Sequence, residues 1–410
     1  MTALRARASR RLHKMALWIC LGIFLIAAGT VWSVSLPKQA EMTDLKPTET
    51  MTKPTVPYPV SAQSNAAFFG NAYWGRSINT WSQASSLKNA YPFSRLNEFG
   101  WDKFDATVAG LECPTVAGLH LTPAQEEATL MFNCNPDYLS EAKKWFTAFM
   151  LANNHTDNQG AKGFIETQKH LDENGIQYFG HYDPEAHNDI CDIIAIPAKV
   201  SFNDGSKTEG KLPVAMCGYH GVFKIPTATS YAVMQQYKEY MPVIAMTHMG
   251  SEYKATADPI RTASYHAMID NGADMVLGDH PHWVQPTEVY KGRFIIYSMG
   301  NFMFDQQSNR EVTRSAGVQV LFEAKTTDKT ELKKWLDIGE TCSAYHDDCL
   351  TRIKNAGLKK LPYTYKIGII GVDTSGRITH PADPTVMQGI MDRLNWDTTK
   401  SQLRAPYSPL

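Results

Sequence analysis

From residue 66 onward, short apolar runs alternate with longer amphipathic stretches. Residues 66–69, 106–109, 146–151, 214–217, 243–247, 275–277 and 294–298 read as buried strands. The spacing predicts a helix over 160–174, where Phe164, Thr167, Gln168 and Leu171 share its faces and Gly175 stands at the stop. A second helix is predicted over 258–271, opened by Asp258-Pro259 and closed by Gly272. Alternation of strand and helix predicts an α/β fold. Residues 190–196 and 212–217 flank the turn Asn203-Asp204-Gly205 and predict a hairpin, so the sheets are expected to be mixed. Residues 317–322 and 365–372 read as further strands. The charged stretch 325–361 reads as an insertion, and 385–395 as a closing helix.

The N-terminal region has a different pattern. Residues 1–16 form a basic head with Arg5, Arg7, Arg10, Arg11 and Lys14 and no acid. Residues 17–36 carry no charge and are long enough to span a bilayer. The flanking cations predict a single-pass anchor in the cytoplasmic membrane, N-terminus inside and main domain extracytoplasmic. A cleaved signal peptide is the rival, with Ser33-Val34-Ser35 as a small-residue cleavage site. Residues 37–64 contain Pro37, Pro47, Pro54, Pro57 and Pro59 and read as an extended linker.

Composition narrows the class. The chain has 410 residues, of which 43% are hydrophobic and 20% charged, so it can bury a large core. Its formal net charge is −1, and outside the basic head the body is mildly acidic, which disfavours nucleic acid as a partner. Cys20 lies in the apolar run. The other six cysteines, Cys113, Cys134, Cys191, Cys217, Cys342 and Cys349, suggest disulfides outside the cytoplasm, with buried free thiols as the alternative. Pairing between sequence neighbours is the simplest arrangement. A hairpin centred on Asp204 would set Cys191 opposite Cys217.

Polar clusters follow the expected strands, at the sheet edge where open α/β folds bind ligands. They include Gly70-Asn71, Glu112-Cys113, Asn153-Asn154-His155, His248, His280-Pro281-His282 and Asn301. Carboxylate, amide oxygen and imidazole together suit a hard or borderline divalent ion. Singly, each has a bland reading: a solvated turn, a helix cap or a satisfied core histidine. Jointly, several strands deliver such groups to one edge.

The segments GNAYWGR, GLECPT, LANNHTDNQG, THMGSEY and GDHPH, in this order, resemble the bacterial capsule-synthesis family CapA, the poly-γ-glutamate capsule domain, which is related to calcineurin-like metallophosphatases. The resemblance covers about residues 65–306, with 307–410 completing the domain. It implies an αββα sandwich of metallophosphatase type with mixed sheets. It further implies a role in synthesis, export or retention of an anionic capsule polymer, together with other membrane proteins of a capsule complex. It places Glu112, Asn154, His248, His280 and His282 as metal ligands and His155 as general acid of a metal-assisted hydrolysis. Arg76, Glu252 and Asn301 become candidates for substrate contact or support. The family pattern begins Gly-Asp, whereas here it is Gly70-Asn71, and Tyr73 replaces a histidine. The lost charge predicts at most one ion (Mn, Zn or Fe) on the Glu112, Asn154, His248 and His280 side, or none. Two alternatives stand beside the hydrolase: a non-catalytic polymer-binding component, and a periplasmic phosphoesterase unrelated to capsule.

Overall fold

The strand expected at 66–69 is longer in the computed structural model, running over Pro59–Ala72 (β1). The structure describes residues 56–343 and 348–410. The head, the apolar run 17–36 and most of the linker lie outside the described residues. Among the described residues no helix is long and apolar enough to cross a membrane. The expected linker end at 64 is corrected by the strand start at Pro59. There Ala62 and Ser64 are buried and Gln63 is exposed, an alternation disguised by small polar side chains.

After β1 come β2 (Ala106–Leu111), β3 (Ala148–Met150), β4 (Gln177–Phe179), β5 (Cys191–Phe202), β6 (Lys207–His220), β7 (Val243–His248) and β8 (Met275–Asp279). They are followed by β9 (Gln285–Tyr290), β10 (Arg293–Ser298), β11 (Asn301–Met303), β12 (Arg314–Lys325), β13 (Tyr363–Asp373), β14 (His380–Pro381) and β15 (Tyr407–Pro409). Hydrogen bonding joins them into one mixed sheet that forks at β1. The first half of β1 pairs antiparallel with β5, and its second half runs parallel to β2, leading into β3 and β4. The other arm runs β5-β6-β7-β8-β10-β9. Val108 and Met150 of one arm share a continuous core with Ile194, Met216 and Met246 of the other.

The helix expected at 160–174 is Gly160–Asn174, ended by Gly175 at φ 68°. Pro259–Asp270 starts on Asp258, whose carboxylate accepts the backbone N–H of Ile260 and Arg261. The stretch 325–361 contains the helices Glu331–Cys342 and Cys349–Asn355. The first lies so close to β6 that a Cβ on Gly339 would come within 2.1 Å of the Lys211 carbonyl oxygen. Among the described residues three disulfides join sequence neighbours: Cys113–Cys134, Cys191–Cys217 and Cys342–Cys349. Cys191 and Cys217 are register partners in the β5–β6 hairpin, as a turn centred on Asp204 requires.

Candidate functional site

The C-terminal ends of β1, β2, β3, β7 and β8 are parallel neighbours or lie on facing arms, so the residues that follow them gather at one edge. Asn71 sits where the β1–β2 register shifts, and it pairs with Asn301 of β11. His220, His248 and Asp279 occupy one register row across β6, β7 and β8, so their side chains share a face. Two left-handed residues, His280 at φ 93° and His282 at φ 58°, carry the strand end through Pro281. Such conformations cost about 1–3 kcal/mol each and concentrate at functional sites.

Asn154, His248 and His280 converge. His248 Nε2 is 2.7 Å from Asn154 Oδ1 and 3.1 Å from His280 Nδ1. Two donors about 2.1 Å from one ion lie roughly 3.0–3.4 Å apart, so this cluster has nearly the dimensions of a coordination shell. The far nitrogen of His248 is held as well. Asn153 Nδ2 stands 3.1 Å from Nδ1, with its own Oδ1 accepting the His155 N–H. Asp279 Oδ2 is 3.8 Å from the same Nδ1, beyond hydrogen-bond distance. Among the described residues no three His, Cys, Asp or Glu side chains are gathered as a metal centre. The third donor here is the amide oxygen of Asn154. Burial, then the neighbouring imidazoles, holds His248 well below the usual histidine range, so it is a neutral imidazole, and an ion at Nε2 would replace the proton now directed at Asn154 Oδ1.

Glu112 is buried, with Oε1 3.9 Å from His282 Nε2 and Oε2 lacking any partner. Burial pushes its carboxyl up, reinforced by the charges of Asp279 and Glu252. Asp279 is fully buried. Neither of its oxygens makes a well-formed hydrogen bond, although the backbone N–H groups of His280 and Asn71 are directed towards it. Its carboxylate is so close to β1 and β2 that a Cβ on Gly70 or Gly110 would meet it at 3.0 or 2.9 Å. An orphaned buried carboxylate beside two imidazoles and an amide oxygen is a donor set that suits one borderline divalent ion.

His282 belongs to a different subset. Its Nδ1 lies 2.7 Å from Asn301 Oδ1 and 3.1 Å from Asn71 Nδ2, and Asn301 is oriented by its own Nδ2 donating to the Val312 carbonyl. Asn71 Nδ2 donates to the same Asn301 oxygen at 3.2 Å. Tyr73, where the family pattern has histidine, is buried against Phe132 and Phe304, and its hydroxyl donates to Glu126. It therefore offers nothing to an ion.

His155 lies at the wall of a cleft of about 190 Å³ lined also by Arg76, Glu112, Glu252, Tyr253 and His282. Its Nδ1–H donates to Asn158 Oδ1, an oxygen fixed by the Phe132 N–H. Burial pushes His155 down to about 4. At neutral pH its imidazole is therefore uncharged. Phe132 stacks on His155 at 4.0 Å, and the Arg76 guanidinium lies 4.9 Å from the Phe132 ring. Arg76 is held bidentately by Asp305. Sequence reasoning missed Asn153, Phe132 and Asp305 as supports. Only Asn153 had a signal, as the neighbour of a proposed ligand.

A family profile described as "Bacterial capsule synthesis protein PGA_cap" matches residues 65–306. The "Capsule biosynthesis protein CapA" of Bacillus anthracis is 34% identical over 171 residues, covering 39% of this chain and 41% of the relative. The "PGA biosynthesis protein CapA" of Bacillus subtilis is 27% identical over 294 residues, 68% of this chain and 73% of the relative. A "Probable polyglutamine synthesis accessory protein" of Mycobacterium tuberculosis is 36% identical over 64 residues, 16% of this chain and 17% of the relative.

Proposed function

The chain belongs to the bacterial capsule synthesis family PGA_cap, and from that membership we propose that it is a membrane-anchored, extracytoplasmic accessory protein of γ-linked polyglutamate synthesis, export or retention. Its anchor is the apolar run 17–36, its domain a metallophosphatase-type sandwich, and its partners are the anionic polymer and other membrane proteins of the complex. Asn154, His248, His280 and Glu112 would hold one divalent ion (Mn, Zn or Fe). The observation that carries this reading is the convergence of Asn154 Oδ1 and His280 Nδ1 on His248 Nε2. Such an ion supplies Lewis acidity in a hydrolysis of a polymer-linked or phosphoester bond. Asn153 orients His248, and His155 would take or return a proton. Metal analysis of the purified full chain tests this. About one ion per chain, lost in His280→Ala, is expected, whereas near-zero metal in both proteins defeats the metal site.

A second reading is favoured by Asn71 and Tyr73. One lacks the charge and the other the imidazole of a second cation position, so the domain binds polymer without cleaving it. Turnover of a phosphodiester reporter by the metal-loaded chain decides against this reading.

A further inference from the structure

The cleft walled by His155 has a volume of about 190 Å³. Small-molecule sites occupy about 300–1,000 Å³, so a ligand of that class enters only if one wall gives way. Three wall residues, Glu127, Leu130 and Phe132, come from one segment, the strap between Cys113 and Cys134. Its base is firm. Cys113 and Cys134 are bonded, and the Cys134 N–H donates to the Pro114 carbonyl. Asn133 Oδ1 accepts the Val116 N–H, and its Nδ2 donates to the Val116 carbonyl. Phe132, stacked on His155, belongs to this base.

Beyond the base the strap is held differently. Among the described residues 117–131 Glu126 alone is buried. The helix Pro123–Thr129 within it is closed by its own capping box, Thr122 with Gln125, and carries no apolar side chain larger than proline. Leu130 and Met131, at its end, are 57% and 41% exposed. The strap therefore gains little from apolar burial, and its docking rests on polar contacts. Glu126 Oε2 accepts the Arg76 N–H at 2.8 Å, and Oε1 accepts the Tyr73 hydroxyl and the Asn133 N–H at 3.0 Å. Glu127, 74% exposed, adds an ion pair with the Arg76 guanidinium, and the Ala117 N–H adds an exposed bond to Glu166. A segment fixed by a few polar contacts around one carboxylate opens at far lower cost than a core strand.

We propose that residues 117–131 are a lid, latched by Glu126, which swings on the disulfide-bonded base and opens the cleft. One hinge falls at Leu130, which holds a left-handed conformation at φ 53° that is costly for a residue with a Cβ. Opening carries Glu127 off Arg76 and leaves the guanidinium, still gripped by Asp305, facing the entrance. Phe132 stays with the base. The lid rests on the cleft being the ligand site of the reading above, and on no property of the ion.

Hydrogen–deuterium exchange of the full chain in detergent, read residue by residue by mass spectrometry, tests this without any ligand. The Arg76 and Asn133 amides donate to Glu126 and report the latch, whereas the Glu126 and Leu130 amides report the helix. One concerted opening is expected to give all four the same protection factor, at least about a hundredfold below that of the β2 amides. Glu126→Gln keeps the shape and removes the charge. It is expected to lower the four protection factors together by about tenfold and to leave β2 unchanged. Glu127→Ala, at the surface, gives a smaller joint change and serves if Glu126→Gln fails to fold. Fast helix exchange with Arg76 and Asn133 protected like β2 shows fraying in place and overturns the lid. Four amides as protected as β2 overturn it too, and so does unchanged protection in both variants. Each of these results leaves the metal reading standing, since metal analysis tests that separately.

Discussion

Asn71 decides how much charge this edge can hold. Its side chain is fully buried, with Nδ2 donating to Asn301 and Oδ1 unpartnered. Asn71→Asp adds a third buried carboxylate near Glu112 and Asp279 and removes that donor. Without metal it should destabilise the fold by roughly 1–3 kcal/mol, and manganese or zinc should restore the loss while metal content rises. Thermal melts with and without the ion, with metal analysis, check this; unchanged melting and metal content would show Asn71 to be packing only. His155 gives a pH signature. Its folded pKa, about 4, lies below the ordinary 6.5 of an unfolded imidazole. The unfolded chain therefore binds the extra proton, and this contribution to stability is lost as pH falls from about 6.5 to 4. In metal-free protein, His155→Gln should lose roughly 2 kcal/mol less than the parent across that window, read from denaturant midpoints at several pH values. Glu112, Asn154, His248 and His280 were legible because each follows an apolar run. Phe132 and Asp305 were not, since their importance comes from stacking on His155 and gripping Arg76, which no local pattern encodes.

At the scale of elements, the hydrophobic runs located the strands that carry the site, and Gly175 and Asp258 marked helix ends by backbone chemistry. The fork at β1 was not legible, because one strand pairing different partners along its two halves leaves no periodic trace. The joint between elements that matters most to the site is Cys113–Cys134. It ties the residue after Glu112 to the segment bearing Phe132, 21 positions on. Closing a loop of that size restricts the unfolded chain by about 3 kcal/mol. Replacing both cysteines by serine should lower the denaturant midpoint accordingly and weaken metal retention. Retention of full metal content would show that the tether supports stability alone.

For the whole molecule, the basic head, apolar run and cysteine pairs predict a domain outside the cytoplasmic membrane. Protease added to intact spheroplasts should digest it, and protection of the whole chain would overturn the placement. Composition set the mildly acidic sign of the body but was blind to where charge collects. The acids that matter are Glu112, Glu252 and Asp279, brought together from three distant stretches. The disulfides also bear on how the molecule is made. The bonded pairs are separated by 21, 26 and 7 residues and follow one another without interleaving. A chain that emerges N-terminus first offers each cysteine its proper partner before the next pair appears. Oxidation in the order of synthesis therefore yields the native set, and the molecule needs an oxidant during its manufacture but little reshuffling.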